Sequence, residues 1–204
     1  MTEPDPQRRQ RLPRAQRRAL LLAAATEVFA RQGYHDASMD AVAKAAGVTK
    51  PVLYQHFDSK LELLRAVIVG ASQDLRDRVS ASMSSTDEGV HPFVGAIDAL
   101  FAFAASENHA FELIFEAELP QDPVVKEAIL GNTQEIALEA GPVIARSSGL
   151  DDVRAAQLAW SLIGMGTFAV RHWKRSGSLL PVDEAAQLIA DLTLSGLGQW
   201  PPRG

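Results

Sequence analysis

Two short helical patterns separated by a single glycine, between Ser38 and Phe57, constrain this chain more than any other feature of it. Ser38 is a residue type that caps helix N-termini, and the apolar positions Met39, Val42, Ala43 and Ala46 then repeat at the spacing of one helical face. Gly47 breaks that helix. Thr49 is a second N-cap, opening a helix over about residues 50–57. Pro51 supports the boundary, because a first helical turn has no partner for the N–H that proline lacks. With Pro51 unable to donate, the Thr49 hydroxyl is expected to take the N–H of Val52. A longer helix precedes the pair, from about Pro13 to Gln32, with Leu21, Ala24, Ala25, Val28 and Phe29 on one face and Gly33 ending it.

Two helices joined by a tight glycine turn form the helix-turn-helix layout, whose second helix enters the major groove of a DNA duplex with its N-terminal residues towards the bases. Here the second helix has only two strong apolar anchors, Leu53 and Phe57, four residues apart. The other positions from Thr49 to His56 are free to face outward, and most are types that touch DNA. Lys50 suits phosphate or guanine, Tyr54 and His56 suit phosphate, Gln55 suits adenine, and Val52 offers a methyl surface to thymine. Net charge agrees once it is divided along the chain. Residues 1–60 hold ten Lys and Arg against six acids, so they carry +4 of a total of −5 and leave −9 on the rest. Six of those cations fall between Arg8 and Arg18. A basic head on an acidic body suits a polyanion bound at one end, and the arm before the first helix tracks phosphates, enters the minor groove, or is a solvated tail.

The remaining patterns are helical too, over about 60–82, 91–106, 108–118, 123–147, 151–175 and 182–198, with Asp58 or Ser59 capping the first of these. Gly141-Pro142 is expected to kink or split the 123–147 helix. The expected fold is therefore all-α: a flexible basic arm (1–14), a three-helix helix-turn-helix domain (15–62), and a helical ligand-binding and dimerisation domain (63–204). With no cysteine in its 204 residues, the chain has no disulfide, thiolate zinc site or cysteine nucleophile. Its richest apolar stretch, Leu158 to Val170, is too short to span a membrane and runs directly into Arg171 and Lys174. The polar, arginine-rich N-terminus is not expected to be a secretory signal. A cytoplasmic protein without a membrane partner is expected.

The run Ser38-Met39-Asp40-Ala41-Val42-Ala43-Lys44-Ala45-Ala46-Gly47-Val48-Thr49-Lys50-Pro51-Val52-Leu53-Tyr54-Gln55-His56-Phe57-Asp58-Ser59-Lys60 resembles the signature of the TetR family of regulators, and Leu21 to Tyr34 fits the helix before it, including the Phe29-Ala30 and Gly33-Tyr34 pairs. The resemblance covers about residues 15–65. It implies that Ser38, Tyr54, His56 and Lys60 hold phosphates, while Lys50, Pro51, Val52 and Gln55 sit nearest the bases beside Thr49. Pro51 departs mildly from the family pattern, which has a small or polar residue there, and it removes one backbone N–H from the phosphate contacts. The resemblance further implies a helical ligand and dimer domain, and a repressor that leaves a palindromic operator when a small effector binds.

Residues 66–204 carry no such motif, but they support part of that picture. Helix 151–175 has a broad apolar face with small residues in it, and helix 182–198 has more apolar surface than one face can bury internally. Leu162, Gly166 and Ala169 of the first, with Leu188 and Leu192 of the second, are the candidates for a symmetric four-helix homodimer interface; the alternative is internal core. Phe101, Phe111, Phe115, Trp160, Phe168 and Trp173 are the candidates to line a cavity for an apolar or amphipathic small molecule, against the alternative of plain core. Glu112, Glu116 and Glu118 either attract a cation or form a solvated acidic face.

An enzyme is disfavoured. The five histidines lack metal-ligand spacing, and there is no nucleophile elbow, glycine-rich phosphate loop or placed carboxylate pair, so no catalytic residue, metal or cofactor is expected. The remaining rival is a helical ligand- or protein-binding module without DNA function. The Lys50-to-Lys60 run and the arginine arm argue against it.

Overall fold

In the computed structural model, which describes residues 13–84 and 91–198, every element is a helix. The order is α1 (Arg14–Asp36), α2 (Met39–Ala45), α3 (Lys50–Tyr54), α4 (Lys60–Ser84), α5 (Pro92–Ala105), α6 (Ala110–Phe115), α7 (Pro123–Ser148), α8 (Asp152–Arg175) and α9 (Val182–Gly198). The expected arm lies almost wholly outside the described residues.

The first three helices and the start of α4 share one core. Leu21, Ala25 and Phe29 of α1, Val42 of α2, Leu53 and Phe57 around α3, and Leu63 and Leu64 of α4 are all buried. Removing either phenylalanine ring from such a site costs about 3–5 kcal/mol. Gly33 leaves helical geometry at φ 76°, a region that costs any side chain but glycine's, so α1 turns there before its last residues. The Ser38 hydroxyl oxygen accepts from the N–H of Ala41 at 3.1 Å and starts α2. Gly47, at φ 66°, makes the turn between α2 and α3. Thr49 does not cap through its hydroxyl: its backbone carbonyl takes the N–H of Val52 at 3.0 Å, so the first helical bond does the work expected of the side chain.

α4 joins head to body. At 1.5 Å per residue its 25 residues reach about 37 Å, and it packs on α1 at one end and on α5 and α7 further along. α7 lies against α8, α5 against α9, and the short α6 touches α1, α4 and α5. α7 is not split at Pro142; it runs on as one helix to Ser148. Pro142 is exposed, so water can reach the Leu138 carbonyl that loses its donor. Among the described residues no helix is long and apolar enough to cross a membrane.

Candidate nucleic-acid interface

With Leu53 and Phe57 turned into the core, α3 presents its other residues outward. Thr49, Lys50, Pro51, Tyr54 and Gln55 are exposed, Tyr54 at 41 %, while Val52 and His56 are half-buried. Ser38 is exposed beside them. Its oxygen already accepts from the backbone, but its O–H stays available to donate.

Three cations near this face are committed in different ways. Lys50 is paired with Asp40 of α2, its Nζ 2.9 Å from Oδ1 and 3.1 Å from Oδ2. Arg18 of α1 lies over the Phe57 ring, 4.4 Å from its centroid, and reaches the His56 carbonyl at 3.4 Å. Lys60 donates to the carbonyls of Tyr34 (2.8 Å), His35 (3.1 Å) and Ala37 (2.9 Å) and sits 4.6 Å from the Tyr34 ring centroid. An ammonium has three donors, and all three of these are spent on the exit of α1. Lys60, expected at a phosphate, is here engaged within the protein, where it ties α4 to the turn before α2.

His56 stands where α3 meets the first turns of α1. Burial, and then the positive charges of Arg14, Arg17 and Arg18, push its imidazole below the usual histidine range, so it is held neutral in a cationic neighbourhood. These arginines are further candidates for the site, absent from the set read from the sequence. Counting them within a basic arm hid their position on a folded helix; the signal was that the α1 pattern begins before them.

The body contains a cavity of about 110 Å³ between α4, α5, α7, α8 and α9. Leu75, Val79 and Met83 of α4 form one wall, Phe115 lies at another, and Thr133, Thr167 and Thr193 are the polar groups among its lining. Of the six aromatics expected here only Phe115 lines it. Phe101 and Phe111 are buried in ring pairs, Phe101 with Trp173 (centroids 5.8 Å apart) and Phe111 with Phe115 (4.8 Å). Trp160 and Phe168 are instead exposed, at 47 % and 76 %. Conversely Leu162 and Gly166, expected at a dimer contact, face the cavity. Ala169 is half-buried, and Leu188 and Leu192 stand exposed on α9. The physical reason is that α8 is apolar on two sides: positions 159, 162, 163 and 166 turn inward, and 153, 160 and 168 outward.

Glu112 and Glu116 hold cations, but of the protein itself. Glu112 pairs with Lys174 at 3.1 Å, and Glu116 accepts from Nε of both Arg171 and Arg175 at 2.6 Å. Burial opposes the Glu116 charge, yet the two arginine bonds outweigh it and hold the carboxyl below its usual range. Among the described residues no group of three His, Asp or Glu side chains is placed to hold a metal ion.

Over 191 residues, 94 % of this chain and 87 % of the relative, the sequence is 36 % identical to the HTH-type transcriptional activator FasR of Mycolicibacterium smegmatis. Residues 21–67 match the family model of bacterial regulatory proteins, tetR family. The chain belongs to the TetR family. Its fold is that of a TetR-like transcriptional regulator from Rhodococcus sp. RHA1, at TM-score 0.75 and 26 % identity over 93 % of this chain and 100 % of that one. The Bacillus subtilis regulator FadR, solved in complex with stearoyl-CoA, has the same fold at TM-score 0.69 and 19 % identity, over 87 % of this chain and 98 % of FadR. TetR-family membership makes the protein a DNA-binding transcriptional regulator, and the buried anchors Leu53 and Phe57 now have a reason: they fix α3 with its polar face outward.

Proposed function

We propose that this TetR-family regulator binds a palindromic operator as a homodimer through α3 and the first turns of α1, and that a small apolar or amphipathic effector in the α4–α9 cavity controls the binding. The observation that carries the DNA part is the exposed Lys50–Gln55 surface set beside Arg14 and Arg17 on a head of net positive charge. Ser38, Tyr54 and His56 are assigned to phosphates, and Lys50, Val52 and Gln55 to base edges, with Thr49 and Pro51 at the groove floor.

Trp160 and Phe168 of α8 and Leu188 and Leu192 of α9 are large apolar side chains left exposed on two neighbouring helices, the kind of surface that a partner covers. A second copy packed there by two-fold symmetry buries it and brings two short recognition helices to one duplex, which one alone reads poorly. The cavity is of the size that holds an aromatic ring, so a long chain enters only if the surrounding helices part. α4 both lines the cavity (Leu75, Val79, Met83) and completes the head core (Leu63, Leu64). A ligand that parts the helices therefore has a different affinity for different positions of the head, which is the requirement for control. FadR with stearoyl-CoA is one protein of this fold that takes such a molecule. Whether bound protein blocks or recruits the polymerase depends on where the operator lies. FasR is named an activator, so the reading is of a regulator, not specifically a repressor.

Selection of bound sequences from a random duplex pool tests the DNA part: a palindromic consensus is expected, and Gln55→Ala relaxes it at one position per half-site at a cost of about 1–3 kcal/mol. A pool without enrichment, or salt-independent binding, sinks the reading.

A further inference from the structure

The Lys50–Asp40 pair spans the Gly47 turn and joins the two helices of the motif at its outward face, with both side chains more than half exposed (53 % and 67 %). A carboxylate on a surface meant for phosphates works against binding, and an isolated exposed ion pair contributes little to folding. The Asp40 Oδ1 and Oδ2 engage the ammonium from one side, and a lysine has three donors, so at least one remains for another acceptor. Taken with the DNA reading above, on which this rests, we propose that Asp40 is a specificity-determining residue: it neutralises Lys50 towards phosphates in general and holds its remaining donor for a guanine edge at the base-facing end of α3.

The electrostatic consequence follows from counterion release. A lysine that settles on a phosphate adds one neutralised charge to the non-specific complex and steepens its salt dependence; a lysine already neutralised by Asp40 does not. On a matching sequence, guanine O6 and N7 offer the acceptors that the free donor needs, and Asp40 stays in place as the second partner. Asp40 thus lowers affinity for random DNA more than for the operator.

The test compares full-length wild type, Asp40→Asn, Lys50→Met and the double variant on a random-sequence duplex and on the selected operator, each across a salt series. Asp40→Asn is expected to bind random duplex about fivefold tighter, with the slope of log affinity against log salt steeper by about one. Its operator-to-random ratio falls by a similar factor. In the Lys50→Met background the same change leaves the slope where it was. Asp40→Asn with wild-type affinity and slope on random duplex overturns the proposal, as does an equal shift with and without Lys50. A wild type that binds no duplex in a salt-dependent way overturns the DNA reading itself, which is a separate result.

Discussion

Arg65 grips Asp122 with two parallel bonds, Nε to Oδ1 at 3.1 Å and Nη2 to Oδ2 at 2.7 Å, and the same carboxylate caps α7 by accepting from the N–H groups of Val124 and Val125. One buried aspartate, only 6 % exposed, thereby fixes the start of α7 to α4 just above the head. Bidentate geometry makes this a stronger restraint than the surface pairs elsewhere.

Removing the arginine should be felt throughout the fold. The hydrogen bonds from Arg65 come first in holding the Asp122 carboxyl below its usual range, burial opposing and the α7 amides assisting. A carboxyl depressed in the folded state contributes stability above its unfolded value and loses it as pH falls through the folded one. Arg65→Met should lower Tm by about 5 °C at pH 7, and the gap from wild type should close as pH drops below about 4. Thermal melts at several pH values check both statements.

Lys60 separates a structural lysine from a DNA-contacting one. Lys60→Met leaves three carbonyls at the α1 exit without their partner and should cost about 2 kcal/mol of stability. Lys60→Arg should recover only part of it, because a planar guanidinium fork does not converge on three acceptors around one point. The salt slope on random duplex should stay at its wild-type value in both. A slope shallower by about one would return Lys60 to the phosphate contacts.

DNA binding should take up a proton at His56. Burial and three arginines keep the free imidazole neutral; phosphates screen those arginines and accept from the imidazolium, raising its pKa in the complex. Affinity should therefore increase as pH falls through the imidazole range, by up to about tenfold per pH unit for one proton. His56→Gln should flatten the profile. Titrations between pH 7.5 and 5.5 at constant salt measure it.

Two neighbours on α8 should give opposite results. Phe168→Glu with Leu192→Glu places charges at exposed apolar positions of α8 and α9 and should give a folded monomer in sedimentation, with operator affinity greatly reduced. Gly166→Leu acts on the other side, where even a Cβ would stand 3.4 Å from Leu100 Cδ2. It should fill cavity space and weaken effector response while the dimer persists. A monomer from Gly166→Leu, or a dimer surviving both glutamates, would reverse the assignment of these faces.

Helix positions and the exposed side of α3 were legible in the sequence because each depends on local period, caps and glycine breaks that act within a few residues. The buried set of α1, Leu21, Ala24, Ala25, Val28 and Phe29, is the one its spacing predicts. What was not legible depends on which elements meet. Nothing near Lys60 in sequence reveals that carbonyls 23–26 residues earlier surround its ammonium. Nor does the α8 pattern say which of two apolar sides looks inward, so Leu162 and Gly166 changed places with Trp160 and Phe168. Gly166, offered as part of a contact between copies, lines the internal cavity instead.

Because α4 is unbroken from Lys60 to Ser84, the head has no seam at residue 62. Its interior is completed by Leu63, Leu64, Val67 and Ile68, one or two turns into a helix that the body also owns. A fragment cut before those residues should behave as an unfolded peptide, and transplanting this head onto another family member calls for a splice beyond Ile68, in phase with the recipient's helix. Any such graft inherits the donor's lever along with its DNA preference, so reading and control travel together as one transferable part.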